Sequence, residues 1–147
     1  CLICQHSFKA IAESQYRPED IVFEVTESEF VDDRKQLVKI MSYYREKGYQ
    51  VALDDLGSGY SSLNLLNQLH PNFVKLDMEL IRGIDKSDIK KITLEKIVDL
   101  AVKLEILTVA EGVETQEELQ FLQTLPINFY QGFFFSHPKS QAEIAQP

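Results

Sequence analysis

The sequence is short of positive charge, of cysteine and histidine, and of long apolar runs, and each scarcity argues against a class of function. Lys and Arg total 15 against 23 Asp and Glu, which gives a formal net charge of -8 and a pI near 4.9. A sequence-independent grip on nucleic acid needs basic side chains to neutralise phosphates, so the expectation is no DNA or RNA polymer as partner. A phosphorylated small molecule stays compatible with this charge where metal ions supply the positive charge locally. Cys1 and Cys4 form a lone C-x-x-C, with no second cysteine pair and no paired histidines to complete a zinc site. They are expected to be apolar helix residues, with redox or metal chemistry as the alternative. No run approaches the roughly 18 apolar residues of a membrane span, and no basic segment with an apolar core opens the chain. The expected setting is a reducing cytoplasm, although the full-length protein could be membrane-anchored. The first residue is not methionine and the opening reads as the middle of a helix, so the chain is expected to be part of a longer protein.

What the chain has is a core and a set of acids. Its 147 residues are 44% hydrophobic, enough for one globular domain. The most informative stretch is Val51-Ala52-Leu53-Asp54-Asp55-Leu56-Gly57-Ser58-Gly59, where apolar residues run into two adjacent carboxylates and a glycine-rich turn. Two carboxylates about 4 Å apart repel by roughly 4 kcal/mol at an effective dielectric near 20, and a shared cation relieves this. The alternative is that Asp54 and Asp55 face water as a turn begins. Gly57-Ser58-Gly59 does not complete a dinucleotide-binding fingerprint, because Ser62 stands at the third glycine position and two acids sit where a pyrophosphate would approach. A mobile loop is the expected role.

Residues 2–14 place Leu2, Ile3, Phe8, Ile11 and Ala12 on a helical stripe that Arg17-Pro18-Glu19-Asp20 stops. Residues 21–27 are β-branched and aromatic and read as a strand. Asp32 or Asp33 is expected to cap a helix bearing Leu37, Ile40, Met41 and Tyr44, which Gly48 closes. A strand over 49–55, a short helix from Ser61 or Ser62 with Leu63, Leu66 and Leu69, and a third strand over 73–77 follow. Ser87 is expected to cap a long helix with Ile89, Ile92, Ile97, Leu100, Ala101 and Leu104 inward, ahead of a fourth strand over 106–110. Thr115 and Glu118 form a capping box for a helix through Leu119 and Leu122, and a fifth strand covers 129–133. This alternation predicts βαβ units and a parallel sheet, an α/β fold.

Each strand ends on polar chemistry: Glu24, then Asp54 and Asp55, then Lys75 and Asp77, then Glu111, then Gln131. The carboxyl ends of parallel strands share one side of the sheet, the side on which a (β/α)8 barrel builds its active site. Alternation turns Glu24 inward with Phe23 and Val25 outward, and Asp54 inward with Val51 and Leu53 outward. Glu111 inward carries Val109 and Leu107 inward with it. Carboxylates without Cys or His are hard oxygen ligands suited to Mg²⁺ or Mn²⁺. Four such acids and a lysine suggest two ions sharing an aspartate, an arrangement that suits phosphodiester hydrolysis. Lys75 would then stay charged and orient the attacking water or steady the phosphorane. Its alternative is a surface lysine at a strand end.

Glu24-Val25-Thr26-Glu27, Asp54-Asp55-Leu56-Gly57-Ser58-Gly59-Tyr60-Ser61-Ser62-Leu63, Val74-Lys75-Leu76-Asp77, Ala110-Glu111-Gly112-Val113-Glu114-Thr115 and Gln131-Gly132-Phe133 through Pro138 resemble, in order, the successive signatures of the EAL domain. Members are bacterial cyclic di-GMP phosphodiesterases in second-messenger signalling, which open one phosphodiester bond to give linear pGpG. The resemblance implies a TIM-barrel-like (β/α)8 fold with about the last five βα units present, residues 1–147 being the C-terminal part of a single domain. It implies two metal ions held by Glu24, Asp54 as the bridge, Asp55 and Glu111, with Lys75 at the nucleophilic water and Glu111 as ligand or general base. Glu27 would hold the loop after Asp55, Gln131 would lie near metal-bound water or phosphate, and Asp77, Glu114 and Pro138 would support the site or bind substrate. Leu56 and Ser58 stand where many members have Phe and Thr. The resemblance places the Glu-Ala-Leu signature, a substrate-gripping arginine and an asparagine ligand upstream of Cys1. It also implies a homodimer and a possible fused sensory or GGDEF-type domain. A catalytically inactive cyclic di-GMP receptor or a protein-interaction module is the alternative function.

Overall fold

The computed structural model describes residues 16–26, 30–56 and 62–137, with the backbone alone at 30–34 and 62–65. Five strands, β1 (Val22–Thr26), β2 (Gln50–Leu56), β3 (Phe73–Leu76), β4 (Leu107–Ala110) and β5 (Phe129–Tyr130), form one sheet in the order β1-β2-β3-β4-β5. Every neighbouring pair is parallel. The connections carry helices α1 (Phe30–Glu46), α2 (Ser62–Leu69), α3 (Met78–Ile81), α4 (Asp88–Lys103) and α5 (Gln116–Leu122). Each strand lies beside its predecessor, which is the order of an arc of a (β/α)8 barrel. A doubly wound sheet would reverse direction at a switch point, which is the second reason a dinucleotide fold fails here.

Alternation along the strands separates two faces. Val25, Val51, Leu53, Val74, Leu76 and Ala110 are at most 1% exposed and share one core cluster with Met41 and Tyr44 of α1, Leu69 of α2 and Leu94 and Val98 of α4. Phe23 stacks on Tyr44 with ring centroids 4.4 Å apart and meets Tyr49 edge-on, which fastens α1 to β1. The opposite face carries Val22, Glu24, Ala52, Phe73, Lys75, Val109, Phe129 and Gln131 around a cavity of about 300 Å³. On that face Val22, Leu107 and Phe129 are 43%, 38% and 49% exposed. The inward and outward assignments made from alternation hold on β1 and β2, and on β4, where alternation left the face open, Val109 joins Glu24 and Lys75 on the inner side.

Several boundaries differ from the sequence expectation, each for a local reason. Asp77 is not the end of β3 but the cap of α3, its Oδ1 accepting from the Glu79 N–H at 2.6 Å. Asp32 and Asp33 fall inside α1, which begins at Phe30, so neither is its cap. In α4 the Ser87 cap forms, its hydroxyl accepting from the Lys90 N–H, but Ile89, Ile92 and Leu104 are 79%, 58% and 42% exposed. The buried stripe is Leu94, Val98 and Ala101, spaced i, i+4 and i+7, and it turns Ile89 and Ile92 to the far side of the helix. β5 stops at Tyr130 because Gly132 packs against the Val113 backbone and the chain folds over, Phe134 N–H donating to the Val113 carbonyl and Phe135 N–H to that of Gly132. The Thr115–Glu118 capping box forms as expected, both reciprocal bonds being present. The predicted helix over 2–14, Cys1, Cys4 and the loop Gly57-Ser58-Gly59 lie outside the described residues.

Candidate active site

Two neighbouring residues of a regular strand point to opposite faces, so Asp54 and Asp55 cannot both serve one site without a break in the ladder. The break is present. Between Leu53 and Leu56 on β2 the paired residues on β3 run only from Val74 to Leu76, a bulge that inserts one residue into β2. Asp55 takes a left-handed conformation with φ +57°, a region that Asp tolerates better than most residues. Its N–H donates to Asp54 Oδ1 at 3.0 Å, which steadies the turn.

The carboxyl ends of β1, β2 and β4 converge on one ammonium. Lys75 Nζ lies 3.0 Å from Glu24 Oε2, 3.2 Å from Asp54 Oδ1 and 3.0 Å from Glu111 Oε1. The Lys75 side chain is only 13% exposed. Burial works against its charge, but the contacts with Glu111, Glu24 and Asp54 outweigh burial and hold the ammonium well above its ordinary pKa. Glu111 moves the other way from a simple ion-paired acid: burial raises its pKa, Lys75 opposes this, and Asp54 and Glu24 add to the rise. Asp55 is raised as well, by burial first and then by Asp54 and Asp77. Burial is the main cause of both rises, and the neighbouring acids add to it.

A groove of about 500 Å³ opens beside this cluster, lined by Asp55, Asp77, Glu79, Glu111, Glu114, Gln131 and Gly132 together with Met78, Arg82 and Phe133. Gln131 lines both this groove and the inner cavity that holds Glu24 and Lys75. Glu114 does not reach the lysine; it pairs with Arg82 at 2.7 Å. Of the residues singled out from sequence, Glu24, Asp54, Lys75 and Glu111 therefore form the centre, and Asp55, Asp77, Glu114 and Gln131 form the adjoining groove. Glu27 and Pro138 lie outside the described residues. Sequence reasoning passed over Arg82, which follows the short helix α3, and Glu118 beyond its capping role. The signal for Arg82 was its place five residues after Asp77 on the same strand-to-helix connection.

Among the described residues no three His, Cys, Asp or Glu side chains form a preformed metal cage. Glu24, Asp54 and Glu111 each face Lys75, so a cation would compete with the ammonium for the same oxygens. The donor set fits a hard divalent ion nonetheless, because every donor is a carboxylate oxygen.

The EAL domain family matches residues 3–138. The chain belongs to the EAL domain family. It is 36% identical over 124 residues to cyclic di-GMP phosphodiesterase PdeR of Escherichia coli K12, covering 84% of this chain and 18% of that protein. It is 33% identical over 122 residues to the blue light- and temperature-regulated antirepressor BluF of the same organism, covering 83% of this chain and 30% of BluF. The solved structure of Klebsiella pneumoniae BlrP1 in a manganese and cyclic di-GMP complex superposes with a TM-score of 0.85 at 38% identity, over 92% of this chain and 34% of that one. The EAL chain spans at most 30% of the length of these curated relatives, and its five parallel strands are part of the family's TIM-barrel-like fold.

Proposed function

We propose that this chain is the C-terminal part of a single EAL domain that hydrolyses cyclic di-GMP to linear pGpG. The observation that carries the reading is the convergence of Glu24, Asp54 and Glu111, from three strand ends, on the buried Lys75 within 3.2 Å. PdeR is named for this activity, and BlrP1 was solved with this nucleotide and with manganese or calcium.

Glu24, Asp54, Asp55 and Glu111 would hold two divalent ions, Mg²⁺ or Mn²⁺, with Asp54 shared between them. The chemistry such ions supply is activation of water and neutralisation of charge on the phosphorus oxygens. Lys75, kept cationic, cannot act as a base; it donates hydrogen bonds to the attacking water or to a phosphate oxygen. In this reading Glu111 takes the water's proton as the new P–O bond forms or, in its other role, serves as a ligand. The bond to one ribose oxygen breaks, that oxygen gains a proton, and the ring opens. Asp77 caps α3 and lines the same groove as Glu111. The same reading takes the full-length protein to be cytoplasmic and homodimeric, with room for a fused sensory or GGDEF-type domain. No helix among the described residues is long and apolar enough to cross a membrane.

The test incubates the full-length protein with cyclic di-GMP and Mg²⁺ or Mn²⁺. Linear product is expected, and Asp54→Asn is expected to cut the rate by at least about 10²-fold. Absence of product from the wild type, or full activity in Asp54→Asn, overturns the reading. BluF, whose name is that of an antirepressor, favours one alternative, an EAL module that works through a partner protein. Nucleotide binding without turnover would support a receptor instead.

A further inference from the structure

We propose that Glu118 is a positioning residue for the reaction: its buried carboxylate holds the loop that carries Glu111 against the connection that carries Asp77, and so keeps the acids on both in register for binding metal. This rests on the phosphodiesterase reading above and names a residue on which the geometry of that site depends. Glu118 is 3% exposed and is the one buried charged side chain among the described residues. Its two oxygens serve different segments. Oε1 accepts from the Gly83 N–H at 2.8 Å, beyond α3, whereas Oε2 accepts from the N–H groups of Glu114 at 3.0 Å and Thr115 at 3.1 Å, beyond β4. The bond to the Thr115 N–H is the ordinary work of a capping box within one helix. The bond to Gly83 reaches a residue 35 positions away, which no cap of α5 requires.

The two segments meet at the residues that follow the acids. Gly112 follows Glu111 and Met78 follows Asp77, and a Cβ on Gly112 would lie 2.5 Å from the Met78 Cβ, so one backbone rests directly on the side-chain stem of the other. A shift in either segment therefore moves both acids. Asp77 stands close enough to Asp55 to act on its charge, so the contact reaches Asp55 and Glu111, two of the carboxylates that the reading assigns to metal. Each segment has its own anchor. The Glu111 N–H donates to the Leu76 carbonyl at 3.2 Å and the Val113 N–H to the Gln131 carbonyl at 3.1 Å. Lys90 Nζ donates to the carbonyls of Glu79 and Arg82 at 2.5 and 2.7 Å, which fastens the other segment to α4. Beyond these anchors Glu118 joins the two, beside the pair of Arg82 and Glu114 at 2.7 Å. That pair is about half exposed and contributes little, so the buried carboxylate with its charge-assisted bonds is the stronger tie. Groups that orient the ligands of a metal commonly matter by about 10- to 100-fold in affinity or activity.

Glu118→Gln tests this, because an amide has one accepting oxygen and must release one of the two segments. Thr115→Ala is the control: it removes the hydroxyl that accepts from the Glu118 N–H at 3.2 Å and so weakens α5, while the three bonds accepted by the carboxylate stay. The experiment measures, on the full-length protein, the melting temperature, the affinity for Mn²⁺ by calorimetry and the turnover of cyclic di-GMP against Mn²⁺ concentration, binding and turnover being read below the melting range. Both variants are expected to melt lower than wild type. Glu118→Gln is expected to bind Mn²⁺ at least about 10-fold more weakly and to need correspondingly more Mn²⁺ for half-maximal turnover, whereas Thr115→Ala is expected to match wild type in both. Wild-type Mn²⁺ affinity in Glu118→Gln overturns the proposal. A loss in Thr115→Ala as large as that in Glu118→Gln makes the role of Glu118 structural alone and also overturns it. A wild type that binds Mn²⁺ without cutting cyclic di-GMP overturns the phosphodiesterase reading and leaves Glu118 to be judged on Mn²⁺ affinity, and one that binds no Mn²⁺ overturns both.

Discussion

Lys75 supplies the positive charge that Glu24, Asp54 and Glu111 share. Replacing it with Met leaves three carboxylates facing one another, a loss of roughly 1–3 kcal/mol in stability. Lys75→Met is therefore expected to melt lower than wild type and to gain more melting temperature from added Mn²⁺, because the ion then meets no competing ammonium. Thermal melts with and without Mn²⁺ read both effects, and an identical Mn²⁺ response in the two proteins would count against the shared-oxygen arrangement. Turnover in the variant is expected to fall at least about 10²-fold. Asp55 poses the opposite trade. Its left-handed backbone costs about 1 kcal/mol, which glycine does not incur, and its carboxylate is repelled by Asp54 and Asp77. Asp55→Gly is expected to raise the melting temperature while lowering turnover, whereas Asp55→Val should lower both. If Asp55→Gly melts lower than wild type, the bulge is not strained at this position.

The helices and loops act on the site through α5. Its capping residue Glu118 is 3% exposed, yet it stays ionised below the ordinary carboxylate range. Burial opposes its charge, and the three backbone N–H groups of Gly83, Glu114 and Thr115 more than compensate. A folded-state pKa below the unfolded value of about 4.3 means that the group stabilises the fold above that value and loses the contribution as pH falls through the folded pKa. Glu118→Gln should cost about 1.5–3 kcal/mol at pH 7, because an amide cannot accept from donors on both sides. Urea unfolding of the two proteins should converge as the pH is lowered through the folded-state value; a gap that stays constant with pH would show that Glu118 does not act through its charge. At the end of β5, a Cβ on Gly132 would overlap the Val113 backbone, so Gly132→Ala is expected to destabilise by several kcal/mol and to displace Gln131, measurable as lost stability and lost turnover together.

At the scale of the molecule the charge excess and the open inner face belong together. The strand ends gather acids at one mouth of the arc, and the face below them leaves Val22, Leu107 and Phe129 exposed. Under the proposal the remaining strands of the full-length protein cover that face. The chain on its own is expected to bind an apolar dye strongly and the full-length protein weakly, and equal dye binding would mean the face stays open. Chelation of divalent ions is expected to abolish product formation by the full-length protein, with Mn²⁺ restoring it.

The succession of strands and helices was legible because burial on one face imposes a period that the residues must display. The acids at strand ends were legible because parallel strands send their carboxyl ends to one side whatever the sequence between them. Alternation placed Glu24 and Asp54 inward, and the structure keeps them there; for Glu111 the pattern left the face open, and the contact with Lys75 decides it. Alternation could not place Asp54 and Asp55 at one site together, since a regular strand forbids it; the bulge opposite β3 decided that. Periodicity found only part of the phase of α4: Ala101 is buried and Ile97 and Leu100 pack against the core as expected, but Ile89 and Ile92, as apolar as Leu94 and Val98, face away from it. The pairing of Arg82 with Glu114 and the reach of Glu118 across two loops join residues 32 and 35 positions apart. Periodicity reports which way a side chain faces within its own element, and only packing between elements decides what it meets.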